Sequence, residues 1–320
     1  MSCCVSFTAL KEWCLRSSFS NSGLRSTKTD LGDGTVMHCW VPKQHQHSKP
    51  NLLLIHGFGA SALWQWADVV AQMTPHFNVY VPDLVFFGES YTTRPDRTDL
   101  FQGQCLIRLM EAHSVTARFS VVGLSYGGFV AYAMASQVQF ENIVEKVVIC
   151  CSAVCMEEKD IVEGRFKVAD LESAADILLP QTPEKLKELI SFTLVKPPKI
   201  LPGCLLNDFI HIMCVDYLQE KRELIRAIPK DRKLDEIPKI IQPTLIIWGE
   251  LDQIFPLEFG YRLKNHIGDN AQLVVIKNAG HGFNVERPKD FYRSLKAFLI
   301  DNHVSQANDY HHIKKANHQH

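Results

Sequence analysis

The sequence predicts an α/β fold with a mostly parallel central sheet, helices on both faces and an inserted helical cap. Strand and helix patterns alternate across residues 34–152, which is typical of a parallel sheet connected by crossover helices. Charged helical patterns broken by prolines replace this alternation across residues 153–238, and the alternation resumes across residues 239–302. We therefore expect one core formed by two stretches of sequence, with the cap inserted between them.

Composition excludes several classes of protein. The 320 residues carry 34 basic and 35 acidic side chains, a net charge of -1 that offers no electrostatic basis for a nucleic-acid partner. Ten cysteines in a chain of this length do not resemble a small disulfide scaffold, so we expect most of them to be reduced and buried. The sequence lacks an Asn-x-Ser/Thr site and a continuous apolar signal segment, which favours a cytoplasmic location.

An N-terminal segment, residues 1–33, precedes the alternating pattern. Its apolar residues at helical spacing are Val5, Phe7, Leu10, Trp13 and Cys14. We expect a short amphipathic helix that packs on the domain, and weak association with a membrane surface is the alternative. No stretch of the chain reaches the roughly 18 apolar residues of a membrane-spanning helix.

A buried strand runs into a His-Gly-x-Gly loop at residues 52–59, LLLIHGFG. A loop of this kind can direct a backbone N–H at a developing oxyanion, and the N–H of the residue after a nucleophile supplies the second donor. We expect His56 to hold the loop by hydrogen bonding, although it is also a rival catalytic base. Gly57 and Gly59 do not form a dinucleotide fingerprint, because the third glycine position holds Ala62.

The most specific motif is Gly-x-Ser-x-Gly within residues 121–128, VVGLSYGG. The run 118–122 predicts a buried strand, and residues 126–137, which are mainly small and apolar, predict a helix. Ser125 is thus expected on a sharp turn between them, where flanking glycines leave room for the turn and the hydroxyl projects into a site.

A serine nucleophile needs a histidine base and a carboxylate that orients it. Strand-like residues 244–249 lead to Glu250 and Asp252, and strand-like residues 273–276 lead to His281, which lies between two glycines. An Asp after a strand is also a common turn former, and Glu250 competes with Asp252 for the role of the acid.

The order Ser, Asp, His, together with the His-Gly-x-Gly loop, resembles that of α/β-hydrolase-fold proteins over roughly residues 34 to 300. Within that superfamily the chain is similar to capped plant esterase/lipase-like proteins, to monoacylglycerol-lipase-like members and to hydrolases that cleave carbon-carbon bonds in ring-fission products. A further family segment is recognisable at residues 81–90, VPDLVFFGES. Val85, Phe86 and Phe87 replace the basic and small residues that relatives often carry there, so we expect a more apolar pocket mouth.

The resemblance implies Ser125 as nucleophile, His281 as base, Asp252 as the orienting acid, and the Phe58 and Tyr126 amides as an oxyanion hole. These roles predict a cofactor-independent and metal-independent serine hydrolase that acts on a carboxylic ester or thioester of an apolar small molecule or lipid.

Two other functions fit the same residues. A ring-fission hydrolase would use the triad to cleave a carbon-carbon bond next to a ketone, and a small-molecule receptor would retain the triad but signal through the cap. Relatives with an Asp nucleophile are disfavoured, because the elbow holds Ser125. The polar tail, residues 303–320, contains five histidines, and we expect a solvated end and no metal site. The oligomeric state is not predicted.

Overall fold

A computed structural model describes residues 6–59, 61–115, 118–137 and 142–301 and shows nine strands in one sheet, in the order β1-β2-β4-β3-β6-β7-β8-β9 with β5 beside β2. The six strands from β4 to β9 along this order are parallel, whereas β2 is antiparallel to its neighbours. The prediction of a mostly parallel sheet is confirmed. The strands are β1 (Leu24–Asp30), β2 (Thr35–Pro42), β3 (Asn51–Ile55), β4 (Asn78–Pro82), β5 (Tyr91–Thr92), β6 (Phe119–Leu124), β7 (Val144–Cys150), β8 (Thr244–Gly249) and β9 (Ala271–Ile276).

Helices connect the strands. They are α1 (Phe7–Asn21), α2 (Ala62–Met73), α3 (Asp99–Ala112), α4 (Tyr126–Ala135), α5 (Glu158–Val162), α6 (Leu171–Leu178), α7 (Pro183–Thr193), α8 (Gly203–Met213), α9 (Leu218–Ala227), α10 (Glu258–Ile267), α11 (Phe283–Glu286) and α12 (Pro288–Lys296). A 3-10 turn covers Leu234–Glu236, and a π-helical turn covers Ala297–Asp301.

The central strands are buried along their whole length. Every residue of β3, β6 and β8 is buried, as expected for parallel strands that are covered on both faces. β4 begins at Asn78, and the N–H of the preceding residue, Phe77, bonds to the carbonyl of Met73 at the end of α2. The carboxyl ends of β3, β6, β7, β8 and β9 lie at one edge of the sheet, where ligands bind in folds of this class.

The interval predicted as the cap holds α5 to α9 and no strand. Two small apolar clusters pack these helices on one another, apart from the main core. One contains Leu186, Leu206, Ile210 and Cys214, between α7 and α8. The other joins Ala175 and Leu179 to Ile225, between α6 and α9. Such small clusters contain far less apolar surface than the core around the sheet.

The interval predicted as the N-terminal segment contains α1 and β1. Strand β1 pairs with β2 over seven residues, from Leu24 with Pro42 to Asp30 with Val36, so the sheet includes residues before position 34. Val5 and the tail at 303–320 lie outside the described residues. Among the described helices, none combines the length and the apolar character needed to cross a bilayer.

Candidate active site

Ser125 lies on the turn between β6 and α4, with a left-handed backbone conformation at φ 55° and ψ -119°. A non-glycine residue in this region is strained, so the neighbouring structure must hold it in place. The Ser125 N–H donates to the Cys150 carbonyl at 2.8 Å, and the Ser125 carbonyl accepts from the N–H of Gly128. The turn therefore fixes the serine at the end of the sheet.

Two glycines allow this turn to form at the centre of the sheet. A Cβ on Gly127 would lie 2.6 Å from the carbonyl oxygen of His56, and a Cβ on Gly57 would lie 2.8 Å from the Cβ of Ser125. Neither position can hold a side chain without displacing backbone. The glycine pattern in the sequence thus corresponds to close contact between the serine turn and the loop after β3.

His281 and Asp252 form a buried pair. The two atoms His281 Nδ1 and Asp252 Oδ2 are 2.8 Å apart, and the second carboxylate oxygen accepts the N–H groups of Ile254 and Phe255. Burial alone would lower the pKa of His281, but the Asp252 carboxylate outweighs it and raises this pKa well above its ordinary value. The rival acid Glu250 instead accepts from Lys277 and from the amide of Asn278.

The other ring nitrogen of His281 faces the end of β7. His281 Nε2 lies 4.0 Å from the Sγ atom of Cys151, and no hydrogen bond joins it to Ser125 in the described part of the chain. Burial raises the pKa of the Cys151 thiol to about 11, so the thiol is neutral at pH 7. Long catalytic contacts are common in unliganded serine hydrolases, because the hydrogen bond tightens when substrate binds. Sequence reasoning missed Cys151, since no motif marks it.

The two residues predicted to supply the oxyanion hole lie on segments that meet at Ser125, because a Cβ on Gly57 would lie 3.3 Å from the Tyr126 nitrogen. Tyr126 is the first residue of α4, and the Phe58 ring lies 4.9 Å from the Tyr126 ring between centroids. Within the described chain, neither the Phe58 nor the Tyr126 N–H donates to a protein acceptor. The dipole of α4 adds positive potential at its N-terminus.

Gln65 and His56 hold the loop that carries Phe58. The Gln65 side chain accepts from the Gly57 N–H at 2.9 Å and donates to the Phe58 carbonyl at 3.1 Å. His56 Nδ1 donates to the Gly57 carbonyl, and its Nε2 accepts from the Leu84 N–H at 2.9 Å. Burial lowers the pKa of His56, consistent with a neutral ring that supports the loop. The sequence indicated the role of His56 but not that of Gln65, which lies nine residues further along the chain, on α2.

The loop around His281 is tied to the cap. The Glu286 carboxylate accepts from the N–H of Gly280 at 2.7 Å and from the N–H of Val195 at 2.8 Å. The carbonyl of Thr193, at the end of α7, accepts from the N–H of Gly282. The position of the histidine therefore depends on both the core and the cap.

Ser125 and His281 line the same cavity, which has a volume of about 540 Å³. Its other walls are mainly leucine, isoleucine and aromatic side chains from α2, α7 and α8, and among the described residues no lysine or arginine lines it. The residues that line it include Phe58, Gly59, Trp64, Leu124, Leu186, Leu189, Ile190, Leu194, Leu206 and Phe209. Trp66 is fully buried in the core, whereas Trp64 lines this cavity and packs edge-on against Phe209.

The three residues predicted as the triad, Ser125, His281 and Asp252, thus all lie at the carboxyl edge of the sheet. In the described chain, the grouping of metal-ligand types is Cys151, Asp252 and His281. Its histidine and aspartate already bond to one another, so this grouping coincides with the predicted triad.

Comparison with known proteins agrees with this architecture. The model of the alpha/beta hydrolase family matches residues 52–294. Mouse monoacylglycerol lipase ABHD6 is 27% identical over 282 residues, which cover 83% of this chain and 80% of that protein. Lipase 3 of Moraxella sp. (strain TA144) is 29% identical over 288 residues, covering 87% and 86% respectively. The crystal structure of a membrane phospholipase A, a bacterial virulence factor, superposes with a TM-score of 0.68 at 25% identity and 91% coverage of both chains. This chain belongs to the alpha/beta hydrolase family.

Proposed function

We propose that this protein is a serine hydrolase that cleaves carboxylic esters of lipids through Ser125, His281 and Asp252. The observation that carries the proposal is that a strained serine and the histidine of a buried His-Asp pair line one apolar cavity. Thioesters of apolar acids belong to the same reaction class.

In the first step, Nε2 of His281 accepts the proton of the Ser125 hydroxyl while the serine oxygen attacks the ester carbonyl. Asp252 keeps the Nδ1–H tautomer and stabilises the imidazolium. The protonated histidine then gives its proton to the departing alcohol, which leaves an acyl group on Ser125. Water, deprotonated by the same histidine, attacks this acyl group, and the acid departs while Ser125 regains its proton.

The Phe58 and Tyr126 amides would bind the oxyanion in both steps. Among the described residues neither N–H has a protein acceptor, and the hydrogen bonds from Gln65 hold the loop that carries Phe58. Removing one donor from such a site typically lowers kcat by about 10² to 10³. We therefore expect the two amides, held rigidly in place, to contribute a large part of the rate enhancement.

The cavity favours a lipid ester over a ring-fission substrate. Dienoate products of ring fission carry a carboxylate, and the cavity walls have no lysine or arginine to pair with it. The relatives named above are a monoacylglycerol lipase, a lipase and a phospholipase, whose names all denote lipid esters as substrates. All eight cysteines in the described chain are free, which supports the cytoplasmic location proposed from the sequence.

The test is multiple-turnover hydrolysis of an ester series from short to long acyl chains, with wild type and Ser125→Ala. We expect wild type to turn over the series and Ser125→Ala to lose activity while it keeps its unfolding temperature. A serine-reactive phosphonate should label wild type alone. Labelling of Ser125 with no ester turnover would overturn the esterase and favour carbon-carbon cleavage, or a receptor if a ligand shifts the unfolding temperature without being consumed.

A further inference from the structure

Helix α1 has apolar side chains on two opposite faces. Leu15 and Phe19 are buried against the domain, whereas Phe7, Leu10 and Trp13 are exposed by 63%, 50% and 66%. With 3.6 residues per turn, the three exposed residues fall within about 120° of one another around the helix. An amphipathic helix that only packed on the core would have one apolar face. Packing within the fold therefore does not explain why the outward face of α1 is apolar.

This outward face begins at the mouth of the active-site cavity. Phe7 and Thr8 both line the cavity, and the Thr8 N–H donates to the carboxylate of Asp208 on α8 at 2.7 Å. The start of α1 is thus fixed to the cap at the point where a substrate would enter. Leu10 and Trp13 continue the exposed face away from the mouth and do not line the cavity.

Two further exposed apolar side chains lie around the same opening. Val285, on α11, is 65% exposed and lines the cavity. Ile200 is 84% exposed, and the adjacent residue Leu201 lines the cavity. We define the docking face as Phe7, Leu10, Trp13, Ile200 and Val285. Four of its members are among the six most exposed large apolar residues of the described chain, so apolar exposure concentrates here.

Four lysines without an acidic partner among the described residues lie on the segments that form the docking face or adjoin it. Lys11 lies on α1, Lys187 on α7, and Lys196 and Lys199 flank Pro197 and Pro198. All four lysines are exposed, and within the described residues none of them forms a salt bridge. The stretch 194–206 contains two lysines and no acidic residue. An apolar surface with a basic rim complements an anionic, apolar surface.

We propose that the docking face seats the mouth of the cavity on an anionic lipid surface. Lys11, Lys187, Lys196 and Lys199 contact lipid headgroups, and the apolar side chains enter the boundary between headgroups and acyl chains. A single-chain lipid then passes into the cavity without crossing water. This inference rests on the proposed function for its substrate, but the surface contact itself does not require catalysis.

The alternative occupant, a second copy of the chain, fits less well. A two-fold interface would place the same patch on both sides, so the four lysines of each copy would face those of its partner. Like charges at close range oppose association, whereas phosphate headgroups attract them.

The test measures binding with Ser125→Ala, so that turnover cannot alter the vesicles. Co-sedimentation with phosphatidylcholine vesicles, with and without phosphatidylglycerol, is compared for Ser125→Ala alone and with Leu10→Ser and Trp13→Ser added. We expect the added substitutions to weaken binding by about tenfold or more, since both side chains lose their apolar contact with the bilayer. The matched control is Ile241→Ser, which changes an exposed isoleucine just before β8, at the edge of the sheet opposite the cavity.

A second measurement uses active protein. With Ser125 intact, Leu10→Ser with Trp13→Ser should lower hydrolysis of a monoacylglycerol in vesicles and leave kcat/KM for a dissolved short ester unchanged. Failure of the esterase would abolish both activities and leave sedimentation unaffected, so the two failures are distinguishable. If Ser125→Ala sediments equally with and without Leu10→Ser and Trp13→Ser, the proposal that the docking face binds lipid is wrong. Equal binding to vesicles with and without phosphatidylglycerol would show that the surface does not need to be anionic. A dimer in solution that Leu10→Ser with Trp13→Ser dissociates would assign the docking face to self-association.

Discussion

Two buried histidine–aspartate pairs lie in this protein, and they have the same local geometry. His281 Nδ1 is 2.8 Å from Asp252 Oδ2, and His38 Nδ1 is 2.8 Å from Asp83 Oδ2. The second pair even has a serine, because Ser26 Oγ lies 2.8 Å from His38 Nε2. Hydrogen bonds join all three residues Ser26, His38 and Asp83, whereas in the described chain none joins Ser125 to His281.

The surroundings separate the two arrangements. Ser26 lies in the middle of the extended strand β1, with no glycine turn and no free amide pair beside it. Asp83 serves the fold, since its other oxygen accepts from the N–H of Ala62 at the start of α2. Ser125 instead combines a strained turn, two free amides and a large apolar cavity. The proposed assignment of catalysis to Ser125 therefore depends on its predicted oxyanion donors and its substrate space, because a hydrogen-bonded series of side chains is also present at Ser26.

Matched substitutions of the two histidines test this difference most strongly. His281→Gln should lower kcat for a short ester by about 10⁵-fold or more, because no group remains to take the serine proton. His38→Gln should lower the free energy of unfolding by about 1–3 kcal/mol, since it leaves the Asp83 carboxylate short of a partner. Steady-state kinetics per folded molecule and urea unfolding measure the two effects. A loss of turnover in folded His38→Gln as large as in His281→Gln would remove the distinction.

The pH dependence of activity follows from the pKa of His281, which the Asp252 carboxylate raises. The ring must be neutral to accept a proton, so kcat/KM should rise with pH through this raised pKa. Asp252→Asn removes the carboxylate, so the rise should move to lower pH, and the plateau should fall by about 10⁴ because the ring loses its tautomer and its counter-charge. The measurement is a kcat/KM profile from acidic to alkaline pH. A profile that keeps its midpoint in Asp252→Asn would show that another group controls the ionisation.

The ionisation of Asp83 affects the stability of the fold and not the activity, and its pKa is shifted down where that of His281 is shifted up. Burial alone would raise its pKa, but the hydrogen bond and charge of His38 outweigh this and lower it. The pair therefore stabilises the fold above the unfolded pKa of the carboxyl group, and this stability is lost as pH falls through the folded value.

The sequence predicted the parts of the site that depend on local backbone chemistry. The turn at Ser125 is visible because only glycine fits at positions 123 and 127, and the parallel sheet is visible because its strands are continuous apolar runs. Contacts between distant segments have no such pattern. Gln65, Glu286 and Cys151 reach the site from separate elements, and the sequence around each resembles ordinary helix or strand. The pair His38 and Asp83 was missed for the same reason.

Gln65 offers a smaller test of the oxyanion loop. Gln65→Leu keeps the size of the side chain but removes its bonds to Gly57 and Phe58, so we expect kcat to fall by about tenfold with little change in KM. Gln72→Leu is the matched control, because this glutamine lies on the same helix and bonds only to the Asp68 carbonyl at the surface. An equal effect in both variants would assign the loss to the helix and not to the loop.

The smallest expected effect concerns the group that lies next to Nε2 of each histidine. The Ser26 hydroxyl occupies His38 Nε2 at 2.8 Å, whereas a neutral sulfur lies 4.0 Å from His281 Nε2. A thiol is a weak hydrogen-bonding partner, so it leaves this nitrogen free for Ser125. Cys151→Ala should therefore change kcat by less than about threefold, while the hydroxyl of Cys151→Ser competes for the nitrogen and makes that variant slower, by up to about tenfold. If Cys151→Ala is the slower variant, the sulfur helps to position the imidazole, and the weak contact is part of what distinguishes the catalytic pair from the structural one.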